Sequence, residues 1–205
     1  DGDNTAVISG RSLAGVLFSD DVSYTGGVAT FNNENVGTAK PVSGTGFSLS
    51  GAQAGNYTVN TTASTTANIT PRTLNVTATG VNKMYDGTTV ATVTYSDDRI
   101  GGDVLTVSGT ANFTTKHVGT GKTINVTGIT LSGTDAGNYT QNTTTTTTAN
   151  VTVRPITVTS ATNTKVYDGF ATASATPVIS VNTVATGDTA VFSETYNNKN
   201  VATGK

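Results

Sequence analysis

Apolar residues alternate with polar ones in short runs along the chain. Leu74, Val76 and Ala78 are spaced by Asn75 and Thr77, Ile156 and Val158 repeat the pattern, and Ile124 alternates with Val126. Gly128 then shifts the phase, and Ile129 and Leu131 continue on the opposite parity. Period-two patterning marks strands with one buried face, and a glycine at a phase change marks a bulge or a tight strand bend. Thr, Val and Ile crowd these runs, whereas Gly, Asn and Asp fill the gaps between them. No helical stripe competes with this pattern. It predicts an all-β chain of short strands that buries Leu74, Val76 and Ala78, and likewise Ile156 and Val158.

The pattern repeats at long range. Tyr85-Asp86-Gly87 recurs as Tyr167-Asp168-Gly169, and Ala54-Gly55-Asn56-Tyr57 as Ala136-Gly137-Asn138-Tyr139, both 82 residues later. At the same shift Asn68-Ile69-Thr70 meets Asn150-Val151-Thr152, Arg72 meets Arg154, Phe31 meets Phe113 and Asp21 meets Asp103. Asp188 holds that aspartate position in a third, partial copy, and residues 196–201 match residues 113–118. Asp1-Gly2 reads as the first copy's turn without its tyrosine. The spacing predicts three repeats, at residues 1–70, 71–152 and 153–205. The outer two read as clipped, so the chain reads as a window onto a longer tandem array.

Two motifs organise each repeat. Residues 131–139 place an apolar strand residue, an Asp-x-Gly turn and a tyrosine in the layout of a Greek-key corner. In immunoglobulin-like sandwiches such a tyrosine buries its ring and returns its hydroxyl to backbone upstream. Gln53 replaces Asp135 in the first copy, so an acid is dispensable there. In the other motif, Asp-Gly after a strand marks a turn. Lys83 and Lys165 precede that turn's tyrosine by two residues and share its strand face. The lysine stem then covers the ring while the ammonium meets the aspartate; the alternative is a lysine-to-asparagine cross-link to Asn56 or Asn138. The expected architecture is a set of tandem Greek-key sandwich modules in an elongated array. The alternative is a β-grasp-like module with a short helix.

Composition narrows the chemistry. Of 205 residues only 12% are charged, with 11 bases against 13 acids, one histidine, and no cysteine or tryptophan. No basic stripe exists to neutralise phosphates, which argues against nucleic acid as a partner. Thiolate metal sites and disulfides are excluded. His117 is replaced by Asn35 and Asn200 in the other copies, so no repeated histidine-dependent site exists, and the chain is not expected to be an enzyme. No apolar run of about 18 residues is present to span a membrane. Cofactors are not expected, apart from calcium, for which Asp21, Asp103 and Asp188 are the weak candidates. The threonine run at residues 143–148 reads as a solvated loop or an edge strand.

Residues 82–89, Gly102-Asp103, and residues 116–122, 131–139 and 149–156 together resemble the bacterial YDG repeat. The resemblance covers essentially the whole chain. Such repeats occur in tandem in very large filamentous-haemagglutinin-like adhesins, many exported by two-partner secretion. The resemblance implies an extracellular or cell-surface protein whose modules form a stiff stalk for adhesion or biofilm matrix. The partners it implies are neighbouring repeats of the same polypeptide. Self-association along fibres, through threonine-rich edges such as residues 143–148, is a further expectation. A glycan- or host-protein-binding module and a self-assembling filament subunit are the alternative readings. Gln53 for Asp135, Pro41 for Thr123 and unequal loop lengths are departures from the pattern.

Overall fold

The computed structural model describes residues 2–205, and Asp1 lies outside the described residues. The chain is all-β. Its strands are β1 (Thr5–Ala6), β2 (Ser23–Phe31), β3 (Gly37–Ser50), β4 (Thr62–Ile69), β5 (Arg72–Leu74), β6 (Thr77–Gly80) and β7 (Lys83–Met84). They continue as β8 (Val93–Ser96), β9 (Thr106–Phe113), β10 (Gly119–Ser132), β11 (Tyr139–Gln141), β12 (Thr144–Thr152), β13 (Thr157–Thr159) and β14 (Val178–Val181). Among the described residues, two three-residue 3₁₀ turns, Ala54–Asn56 and Ala136–Asn138, interrupt them. The helix that defines the β-grasp alternative does not occur among the described residues.

The described residues form two compact units. One comprises the chain up to Val76 with Asp97–Ser108 and Ile129–Thr143; the other comprises Thr77–Ser96, Gly109–Gly128 and Thr144–Lys205. The first unit holds the antiparallel sheet β1-β2-β3-β4 and the parallel pair β5-β11. Its buried apolar residues are Val42, Leu74, Val76, Leu105, Ile129 and Tyr139. Gly44 and Phe47 stand where the second repeat has Val126 and Ile129. The Phe47 ring takes the vacated space: a Cβ on Gly44 would lie 2.5 Å from it, and the ring packs 5.3 Å from Tyr24.

The second unit holds the pairs β6-β8 and β13-β14 and the sheet β7-β12-β10-β9, in which β7 runs parallel to β12. Phe113, Ile124, Val126 and Val151 supply its larger buried side chains. The β10–β12 register, from Gly119↔Val151 through Lys122↔Ala149 to Thr127↔Thr144, reproduces the β3–β4 register 82 residues earlier. Both ladders carry an irregularity at the same place, between Gly37 and Lys40 and between Gly119 and Lys122. There Asn68 Oδ1 accepts the Ala39 N–H at 2.8 Å and Asn150 Oδ1 accepts the Gly121 N–H at 2.8 Å. Along β10 the buried positions run Ile124, Val126, then Ile129, and the change of parity falls at Gly128, whose φ is +64°. That left-handed conformation is open to glycine at little cost.

One expectation is narrowed and one is corrected. Residues 144–148 are strand rather than loop: they pair with β10 on one side, β7 reaches only Val151 and Thr152 on the other, and Thr147 Oγ1 accepts the Gly80 N–H at 3.3 Å, so the edge-strand alternative is the one that holds. Ile156 and Val158 are 38% and 41% exposed, whereas Leu74 and Val76, their counterparts, are 0% and 1% exposed. The difference is one of cover. Leu74 sits beside Gln141 in the β5–β11 pair, whereas Ile156 lies in no ladder and β13, which carries Val158, pairs only with β14. Leu74→Ala is therefore expected to cost about 2–5 kcal/mol in urea unfolding. Ile156→Ala should cost well under about 1 kcal/mol at low protein concentration. Equal losses at the two positions would contradict this assignment of the core.

Candidate functional site

Two lysine-held turns come first. β7 delivers Tyr85, whose N–H donates to the Thr152 carbonyl at 2.8 Å. Asp86 Oδ1 accepts the Thr88 N–H at 2.9 Å, the Thr88 hydroxyl at 2.9 Å and the Lys83 ammonium at 2.9 Å. Gly87 supplies the positive φ, +83°, that closes the turn. Lys83 Nζ also donates to the carbonyls of Thr88 (3.0 Å) and Val90 (2.8 Å) and lies 5.5 Å over the Phe113 ring. The third repeat copies this around Tyr167, Asp168 and Gly169. Lys165 Nζ donates to Asp168 Oδ1 and to the Phe170 carbonyl, both at 2.8 Å, and lies 5.8 Å over the Tyr196 ring. The lysine of each turn is thus clamped among oxygens of its own loop.

The corner tyrosines form the next set. In the second repeat, the chain after the Ala136–Asn138 turn carries Tyr139, only 7% exposed. Its hydroxyl donates to Asp103 Oδ2 at 2.5 Å and accepts the Ile100 N–H at 3.0 Å. In the first repeat the Tyr57 hydroxyl donates to Asp20 Oδ2 at 2.6 Å and accepts the Leu17 N–H at 3.0 Å. Burial, and then the hydrogen bond to Asp103, raise the pKa of Tyr139; the bond to Asp20 is the main cause raising that of Tyr57. Asp135 Oδ2 accepts the Val104 N–H at 2.7 Å, and Gln53 Oε1 accepts the Asp21 N–H at 2.9 Å. A carboxamide oxygen does the same work as the carboxylate, since only an acceptor is needed.

These pairs correct the alignment of the acids. The counterpart of Asp103 is Asp20, and Asp21 is the counterpart of Val104. Asp21 instead accepts the Ala52 N–H at 3.1 Å. The three calcium candidates therefore do not share one position, and each faces a protein donor. No group of three or more acidic, histidine or cysteine side chains suited to a metal lies together among the described residues.

Each compact unit also contains one junction between repeats. In the second unit the Tyr85 hydroxyl donates to Asp188 Oδ2 at 2.7 Å, joining the second repeat to the third. Lys116 Nζ donates to Asp188 Oδ1 at 3.0 Å and lies 6.0 Å over the Tyr85 ring. The Tyr85 and Lys116 bonds hold the Asp188 carboxyl below the usual carboxylate range, and Asp188 in turn raises Lys116. In the first unit Asn138 Oδ1 accepts the Val36 N–H at 2.9 Å and its Nδ2 donates to Asn35 Oδ1 at 3.1 Å. Glu34, counterpart of Lys116, lines a small cavity of about 130 Å³ there with Arg72, Asp103 and Asn138. Gly55 and Gly137 lie within the 3₁₀ turns, and the Asn56 N–H closes the first of them onto the Gln53 carbonyl at 3.0 Å.

The YDG domain model matches residues 1–67 and 70–149. The chain belongs to the YDG domain family. No curated protein and no solved structure matches it. Within this YDG chain, the sequence reading missed Lys116 and Asp20 as junction and corner residues. The Asp20-Asp21 doublet offered two candidates, and only the hydroxyl of Tyr57 distinguishes them.

The clamp fixes a pH dependence. The Lys83 hydrogen bond, then the Thr88 N–H, lower the Asp86 pKa to about 2, against about 3.9 in an unfolded chain. A depressed carboxyl contributes stability that is complete above its unfolded pKa and is lost as pH falls through the folded value. Carbon NMR of the Asp86 carboxyl is expected to give a midpoint near 2 in the native protein. In Lys83→Met the midpoint should move toward about 4. A native midpoint already near 4 would remove the clamp.

Proposed function

We propose that the chain is a structural stalk segment of a large secreted or surface-anchored bacterial adhesin of the filamentous-haemagglutinin-like, two-partner-secretion type. Its tandem modules form a stiff fibre in cell adhesion or biofilm matrix, and each module is a Greek-key, immunoglobulin-like sandwich with Tyr57 or Tyr139 at its corner. Membership of the YDG family supports this reading. The observation that carries it is the way repeats are joined. β4 ends at Ile69 and β5 begins at Arg72, so two residues separate one repeat's last strand from the next repeat's first. Pro71 is one of them and restricts the backbone further.

Side chains reinforce the connection. Asn138 with Asn35 and Val36, and Tyr85 with Asp188 and Lys116, bond across successive repeats. A linker meant to flex would be rich in Gly and Ser and free of such bonds. The reading is non-catalytic. The carboxylates that sequence singled out face hydroxyl, ammonium and amide donors of structural loops, and the one histidine is replaced in the other repeats.

Small-angle scattering on proteins of increasing repeat number tests the stalk. The maximum dimension is expected to grow linearly, by about 30–40 Å per repeat, the reach of six-to-ten-residue strands plus turns. A profile of beads on a flexible string, or a globular radius of gyration, would overturn it.

A further inference from the structure

The tripeptide Tyr85-Asp86-Gly87 works in two directions. Asp86 faces its own loop, where its Oδ1 accepts from the Lys83 ammonium, the Thr88 N–H and the Thr88 hydroxyl. Tyr85 and Gly87 face the third repeat. The Tyr85 hydroxyl donates to Asp188 Oδ2 at 2.7 Å. A Cβ placed on Gly87 would lie 3.0 Å from the Thr186 carbonyl oxygen and 3.1 Å from Ala185 Cβ. Residues 185 and 186 therefore lie directly against the bare Cα of Gly87, and Ala185 is only 6% exposed.

The junction of the first and second repeats makes the same contact with different side chains. Gly2, the turn glycine of the first repeat, has φ +80°, and a Cβ there would lie 2.8 Å from Ile100 Cγ2. Ile100 and Ala185 are counterparts. Each stands three residues before an aspartate, and each carbonyl accepts that aspartate's N–H, at 3.2 Å from Asp103 and 2.9 Å from Asp188. Leu17 accepts the Asp20 N–H in the same way, at 3.0 Å. The position is aliphatic in all three repeats, and a tight turn closed by the aspartate N–H presents it.

Turn chemistry alone does not ask for so bare a residue. A left-handed turn position is open to asparagine as well as to glycine. Gly169 closes the third repeat's turn at φ +81°, with Lys165 on Asp168 as Lys83 is on Asp86, and a Cβ on Gly169 would meet no atom within 4 Å. The turn itself thus leaves room for a side chain. At Gly87 the obstruction is the loop of the following repeat. One of the two atoms in the way is a backbone oxygen, which cannot rotate aside as a side chain can.

We propose that the Asp-Gly turn of each repeat is the seat on which the next repeat docks, and that its glycine keeps the seat bare. The partner it fits is a four-residue turn with an aliphatic residue three places ahead of an aspartate, as in Ile100-Gly101-Gly102-Asp103 and Ala185-Thr186-Gly187-Asp188. At the second junction one motif reads both ends of that turn: the Tyr85 hydroxyl takes the carboxylate, and the bare Cα of Gly87 takes Ala185. Lys116, 3.0 Å from Asp188 Oδ1, adds a second bond to the carboxylate end. Seat and docked turn are different surfaces, so the contact runs head to tail along the repeats. The inference rests on the junctions of the stalk reading and names the surface through which they form.

Carbon NMR of the aspartate carboxyls in the 205-residue chain reads turn and seat separately. Asp86 reports the turn, through Lys83 and Thr88. Asp188 reports the docked loop, because the bonds from Tyr85 and Lys116 hold its carboxyl below the usual range. In Gly87→Asn the Asp86 midpoint is expected to stay near 2 while that of Asp188 rises toward about 3.9. Gly169→Asn makes the same change where no loop is seated. It should leave Asp188 low, and Asp168 low under its hydrogen bond from Lys165. An Asp188 midpoint unchanged in Gly87→Asn would overturn the seat and leave the stalk reading standing. So would equal loss of both lysine clamps in the two variants, which would assign the glycine to the turn alone. An Asp188 midpoint already near about 3.9 in the native chain would remove the junction, and the stalk reading with it.

Discussion

A tyrosine hydroxyl bonded to an aspartate carboxylate recurs three times in this chain, at 2.5 to 2.7 Å, and its order depends on that bond. Hydrogen bonds to an ionised acceptor are shorter and stronger than neutral ones. Here the hydroxyl does two jobs at the corners. It donates to the acid and accepts a backbone N–H from Leu17 or Ile100, which pins a loop that has few apolar anchors of its own. At the junction of the second and third repeats the same pairing, Tyr85 with Asp188, works between repeats instead of within one. One chemical device thus closes modules and joins them.

The device suits a thin core. The large side chains that are fully buried are Leu74, Val76, Ile124, Val126, Ile129 and Val151, all aliphatic and none larger than leucine or isoleucine. Apolar burial of that extent leaves long loops to be fixed by polar side chains. Asn68, Asn142 and Asn150 bond backbone amides that no strand partner satisfies, and Asp135 or Gln53 does so at the corners. The scarce charges follow the same logic. Lys83 and Lys165 are turned onto carbonyls and carboxylates of their own turns, where an ammonium's several donors hold a loop from one point. A surface of Thr, Ser and Asn is then what remains.

Alternation in the sequence revealed the strands, and the phase change at Gly128 revealed where β10 shifts its buried face. Those features are local, and period-two burial is a local property. The acids were harder to place. Asp20 and Asp21 are adjacent, and the chain from Asp20 to Phe31 is one residue longer than from Asp103 to Phe113, so ungapped matching chose the wrong neighbour. The partner of Tyr85 lies 103 residues away in another repeat, beyond any spacing rule. Ile156 and Val158 carry the same pattern as Leu74 and Val76, yet burial depends on a covering strand that the pattern of one strand does not contain. Periodicity identifies a face; only tertiary neighbours decide whether it is covered.

The central claim is that Tyr85 and Asp188 act as one link between successive repeats. Urea unfolding of Tyr85→Phe, Asp188→Asn and the double variant tests it most directly, because non-additivity isolates the shared interaction. Each single change should lower the midpoint, and the double variant should unfold with the midpoint of the weaker single variant. Midpoint losses that simply add, or no loss from either single change, would contradict the account.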